Sequence, residues 1–164
     1  MAITLGQKEY FKGIGAIPYE GPQSDNPLAF HWYDANKLVA GKSMKDWLRF
    51  ACAYWHSFTG SGADPFGEPT HLFAWDADKD PLQRARDKAD AAFEFITKLG
   101  MPYYCFHDVD VVEYGNDVAE NDRRLQLITE YLGEKQKGEW CKTFVGYCQP
   151  VLQSSLYEWR CNES

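Results

Sequence analysis

Between Asp80 and Gly100 the chain carries a complete set of helix signals, and a strand-like run follows without room for a loop. Asp80-Pro81 supplies an N-cap acid and a proline at the first helical position. Leu82, Ala85, Ala89, Ala92, Phe93, Ile96 and Leu99 recur at steps of three and four, which makes one apolar stripe. Gly100 stands where a left-handed C-cap is wanted. Met101–Phe106 (MPYYCF) then reads as a strand, because it is short, apolar and aromatic.

An equivalent run lies upstream. Arg49–Trp55 (RFACAYW) is short, mostly apolar and aromatic-ended, the texture of a strand buried on both faces of a parallel sheet. Ser43-Met44-Lys45-Asp46 before it has the pattern of a capping box opening a short helical turn. After His107 and a polar loop, Leu125, Ile128 and Leu132 predict a second helix over 121–136. Strand, loop, helix, strand, loop, helix is a βα succession, which implies a parallel sheet with right-handed crossovers. Residues 13–42 are rich in Gly and Pro and predict an irregular lead-in. Residues 57–80 show no periodicity, yet Phe58, Phe66, Phe73 and Trp75 argue against simple disorder there.

In parallel βα proteins the chemistry sits at the C-terminal ends of the strands. His107, Asp108 and Asp110 lie at one such end, Trp55 and His56 at the other. A carboxylate three residues after a histidine can accept from one ring nitrogen and fix the tautomer, which is what a general acid–base needs. Two readings of His107 stand at this point: that acid–base group, or a histidine satisfied locally at a loop start. Asp108 and Asp110 project to opposite sides if the chain stays extended. A metal site built from His107 and Asp110 is a further reading, but two ligands are too few to define one. Trp55 reads as core or as a ligand platform, and Phe66 as packed on its own chain or inserted into a partner. His31, His56 and His71 read as structural or solvent-facing.

The totals exclude several classes. A net charge of −7 opposes nucleic-acid binding, which needs clustered Lys and Arg. No apolar run of about 18 residues predicts a membrane span. The first residues lack the apolar region of a secretory signal. The five cysteines form no C-x-x-C pair, so they read as buried or incidental thiols. GSG at 60–62 opens no helix and is not a nucleotide fingerprint. Residues 137–164 change texture, with no clean helical stripe. TFVGYC within them has strand character that Gln149-Pro150 stops.

Three separated blocks, SDNPLAFHWYDANKLVAGKSMKDWLRFACAYWHSF, GADPFG and KADAAFEFITKLGMPYYCFHDVDV, resemble xylose isomerases of the type with a longer N-terminal lead-in. The resemblance runs from about Tyr10 to Gln136. It implies the N-terminal portion of a TIM (β/α)₈ barrel, two βα units plus the lead-in, with the barrel incomplete. Such barrels take about 250 residues, and this chain has 164. Residues 1–136 are then barrel-like, and 137–164 form a divergent tail outside it.

The family interconverts aldoses and ketoses, xylose with xylulose and glucose with fructose, as a cytoplasmic homotetramer with two divalent cations, typically Mg²⁺. By resemblance His107 handles the ring oxygen during ring opening and Asp110 orients it. Trp55 walls the sugar site, and Phe66 reaches into a neighbouring subunit's site. Gly60 departs from the pattern, since relatives of this type usually carry Trp there. The family's metal ligands and catalytic lysine lie on later strands that are not recognisable here. The chain is therefore expected to be inactive alone. The alternative is a non-catalytic fragment or subunit-interaction module using the 57–80 loop. Another metal-dependent sugar-phosphate barrel finds no phosphate-binding feature in the sequence.

Overall fold

A computed structural model describes residues 8–63, 65–138 and 142–147. A short antiparallel hairpin, β1 (Leu38–Val39) and β2 (Lys42–Ser43), is followed by one turn of helix, α1 (Met44–Trp47). Strand β3 (Ala51–Ala53) leads into α2 (Tyr54–Ser57), and α3 (Pro81–Leu99) crosses to β4 (Tyr103–His107). The turn α4 (Asp108–Val111), the long helix α5 (Val118–Gly138) and β5 (Lys142–Tyr147) complete the order. β3 and β4 are parallel, with Ala51 opposite Tyr103 and Ala53 opposite Cys105. β5 adds to the other side of β4, again parallel, giving the order β3-β4-β5.

The helix signals operate as expected in α3. The Asp80 carboxylate accepts from the backbone N–H of Leu82 at 3.3 Å, and Gly100 adopts φ 68°. Ala85, Ala89, Ala92, Phe93 and Ile96 are buried along the stripe. Helix α5 begins earlier than expected because Asp117 caps it, its carboxylate accepting from Glu120 N–H at 2.8 Å. Leu125, Ile128 and Leu132 are its buried face. The two helices pack on one side of the sheet around an aromatic cluster: Tyr54–Phe58 ring centroids are 5.1 Å apart and Phe93–Tyr104 5.3 Å.

Four expectations need correcting. First, the strand read over Arg49–Trp55 is only three residues long, because burial of Tyr54 and the turn α2 remove Trp55 from it. Second, neither β3 nor β4 is buried on both faces. Tyr104 and Phe106 are buried, whereas Tyr103, Cys105 and His107 are half-buried, so the described residues cover one face of the sheet. Third, Ser43 does not cap α1; its hydroxyl donates to the Asp46 carboxylate instead. Fourth, Asp108–Val111 is a helical turn rather than an extended continuation, so the alternation expected of Asp108 and Asp110 does not apply.

No closed barrel forms among the described residues. Position 136 falls within α5, and the sheet continues past it in β5. Parallel pairing is made by backbone groups, so the side-chain texture change near 137 gives no sign of it. Cys141, Cys148, Cys161 and the segment from 148 onward lie outside the described residues.

The lead-in is held to α3 by a buried ion pair. Glu94 and Lys98 are 1% and 3% exposed, with Oε1 and Nζ 2.6 Å apart. Glu94 accepts from the backbone N–H groups of Tyr10 (2.8 Å) and Phe11 (2.9 Å), and Lys98 donates to Phe11 O at 2.7 Å. The long loop is anchored too: Trp75 is buried and its indole N–H donates to Phe58 O at 3.1 Å.

Candidate active site

The tip of β4 and the turn α4 build the centre of the site. Asp110, at the third position of α4, folds back toward His107. Its Oδ2 accepts both the His107 backbone N–H at 2.7 Å and the His107 ring Nδ1–H at 2.9 Å. An ionised carboxylate only accepts, so Nδ1 must carry a proton. In the neutral ring the basic lone pair is then on Nε2. His107 is 38% exposed in its side chain and Asp110 8%. The imidazole can thus be reached by a ligand while its carboxylate is shielded.

Three further groups fix the pair. Lys88, on α3, donates to the Asp110 backbone carbonyl at 3.0 Å. Burial pushes the Lys88 ammonium below its usual pKa, against the opposing pull of Asp76, Glu113 and Asp110. Thr59 Oγ1 lies 3.3 Å from Asp110 Oδ1 and 3.0 Å from the Trp55 carbonyl. The Trp55 ring stands 4.6 Å from the His107 ring, centroid to centroid, tilted 49°. Cys105, one step back on the same face of β4, has its thiol pushed up by burial and by the Asp110 charge.

His107, Asp110 and Trp55 therefore come together, and Phe66 does not join them. Phe66 is 97% exposed in the 57–80 loop. Asp108 is buried but turned away, accepting from Val109 N–H at 2.9 Å and the Tyr114 hydroxyl at 3.2 Å. His56 is exposed, His71 packs edge-on to Phe73, and a ring nitrogen of His31 meets Asn26 O at 3.0 Å. Sequence reasoning missed Lys88 and Thr59. Lys88 had a faint signal, being a cation set among the alanines of the α3 stripe. Thr59 had none, since Asp110 is 51 positions away.

Among the described residues no three His, Cys, Asp or Glu side chains converge as a metal site would require. Asp110 is a poor ligand in this arrangement, with two hydrogens already on Oδ2 and the Thr59 hydroxyl beside Oδ1.

No protein-family model matches the chain. Individual relatives do. Xylose isomerase 1 of Xanthomonas campestris pv. campestris is 54% identical over 144 residues, which is 88% of this chain and 32% of the relative. Over these residues the chain is a homologue of xylose isomerases. Xylose isomerase 2 of the same organism is 53% identical over the same share, and xylose isomerase of Xanthomonas oryzae pv. oryzae 51%. The chain spans about a third of the length of the curated xylose isomerases it matches, 32% in each of these three. With 20 of 164 residues unmatched in all (164 less 144), the match reaches at least residue 144. The three blocks of xylose isomerase-like sequence are thus parts of one continuous similarity.

Proposed function

We propose that this chain carries the ring-opening corner of an aldose–ketose isomerase acting on D-xylose, and also on glucose and fructose. His107 is the proton carrier. During ring opening the proton leaves O1–H of the cyclic sugar, the C1–O5 bond breaks, and O5 gains a proton. Nε2 is the atom suited to that traffic, because Asp110 holds the proton on Nδ1. Trp55 supplies an apolar wall that keeps water from one side of the imidazole. Phe66 reaches the site of a neighbouring subunit, in a tetramer of the full-length enzyme in the cytoplasm. The observation that carries this reading is the double acceptance at Asp110 Oδ2, which locks one tautomer and one ring plane.

The hydride shift between C1 and C2 needs more. The family resemblance implies two divalent cations, Mg²⁺ in the typical case, each wanting about six hard oxygen donors. The described residues do not provide such a set. We propose that the isomerase-like part extends through at least residue 144, with the divergent tail after it.

Incubating the 164-residue chain with α-D-xylose tests the division of labour. Faster interconversion of the anomers in polarimetry, lost in His107→Asn, with no xylulose formed in the presence of Mg²⁺, is the expected result. Xylulose production by the chain alone would refute it, as would anomer interconversion at the buffer rate. A second reading, a non-catalytic subunit-interaction piece, draws on the exposure of Phe66. Co-purification with full-length isomerase, without any effect on anomer interconversion, would favour it.

A further inference from the structure

Thr59 reaches both walls of the site through its hydroxyl. It follows α2, the turn that presents Trp55, and its Oγ1 lies 3.0 Å from the Trp55 carbonyl and 3.4 Å from the Tyr54 carbonyl. On its other side Oγ1 meets Asp110 Oδ1 at 3.3 Å, across 51 positions of sequence. The hydroxyl has a single proton to donate. Asp110 Oδ2 is fully engaged by His107, so Oδ1 is the oxygen left to set the rotation of the carboxylate. Rotation about that carboxylate swings Oδ2, and with it the ring plane of His107 relative to the Trp55 indole.

From this juxtaposition we propose that Thr59 is a positioning residue: its hydroxyl ties the Trp55-bearing turn to Asp110 and thereby sets the imidazole plane. The inference deepens the proposed ring-opening reading and rests on it for its significance, although its test does not. A proton shared between a neutral carbonyl and a carboxylate goes preferentially to the charge, because charge-assisted hydrogen bonds are about twice as strong as neutral ones. The 3.0 and 3.3 Å separations are close enough for that exchange without movement of the backbone. The Thr59 methyl group, by contrast, could only pack.

Thr59→Val keeps the shape and removes the hydroxyl; Thr59→Ser keeps the hydroxyl and removes the methyl. The readout is the His107 ring Nδ1–H, followed by ¹⁵N NMR and by its exchange with water in the full chain, without sugar. Amide fingerprint spectra establish that each variant is folded. In Thr59→Val the Nδ1 proton should exchange about fivefold faster, the effect of weakening one hydrogen bond in a chain of two. Its resonance should also move toward the value of a solvent-exposed histidine, while Thr59→Ser should match the parent. Unchanged Nδ1–H exchange in Thr59→Val would overturn the assignment. So would equal disturbance in Thr59→Ser, which would make the methyl contact the cause. If Thr59→Val does not fold, Thr59→Ser and Thr59→Cys, a weaker donor, decide between hydroxyl and packing by the same readout. Because no sugar is present, failure here leaves the ring-opening reading standing, and failure of that reading leaves this one testable.

Discussion

Glu94→Gln perturbs the clamp that fastens residues 8–17 to α3, and its cost can be worked from the contacts. Glu94 accepts from Lys98 Nζ and from two backbone N–H groups, all within 2.9 Å. Lys98 also reaches Phe11 O at 2.7 Å and Glu9 at 3.4 Å. Removing one charge of a buried pair costs about 3–5 kcal/mol, because the other charge stays behind. The amide oxygen of Gln can still accept from Tyr10 or Phe11, which puts the cost near the lower limit, about 3 kcal/mol. That is about a hundredfold in the folded-to-unfolded ratio. Adding Lys98→Met removes the stranded ammonium and should restore about 1 kcal/mol or more. Urea unfolding followed by tryptophan fluorescence and far-UV circular dichroism measures both.

The same side chain has an acid signature. Burial raises the Glu94 pKa, but the hydrogen bonds from Lys98, Tyr10 and Phe11 together outweigh it and hold the carboxyl below its ordinary value. A depressed acid stabilises fully above its unfolded pKa, about 4.3 for Glu, and the gain is lost as pH falls through the folded value. The parent should therefore lose stability more steeply than Glu94→Gln below about pH 4. A single-variant cost under about 1 kcal/mol, or a double variant as unstable as the sum of the singles, would refute the reasoning.

Asp110→Asn replaces one of two acceptor oxygens with a donor beside Thr59 or His107. It should cost about 1–3 kcal/mol and shift the His107 tautomer, read from ring ¹⁵N shifts. Phe93→Ala empties the centre of the aromatic cluster, where Phe93 is fully buried, and should cost about 3–5 kcal/mol in the same urea titration. The half-covered sheet and the exposed Trp32, Leu38 and Phe66 predict concentration-dependent association, visible as a rising mass in light scattering; a constant monomer mass would count against it.

What the sequence made legible was whatever is decided within one turn of backbone. The α3 boundaries follow from Asp80, Pro81 and Gly100, all of which act on neighbours two to four positions away. The His107–Asp110 pair is likewise local, at a spacing of three, and it forms as anticipated. Trp55 was assigned to a strand because its apolar neighbours carry no breaker, yet the turn begins one residue earlier at Tyr54. Glu94 and Lys98 were illegible in a different way. An acid and a base at a spacing of four ordinarily mark a solvated helix face. Here that face is buried by a lead-in some 80 positions upstream, which no window along the helix can report.

β3 and β4 are apolar on both faces, as strands of a parallel sheet are, because that architecture covers both. The described residues cover only the face carrying Cys52, Tyr104 and Phe106. The other face, with Ala51, Ala53, Tyr103, Cys105 and His107, is half-buried. In a closed barrel that inner face is filled by layers of side chains from the remaining strands. The apolar second face thus suits contact with further strands, and the relatives, nearly three times as long, have room to encode them. His107 belongs to that same face. Its pairing with Asp110 forms wholly within these residues, so the acid–base geometry does not depend on what covers the face.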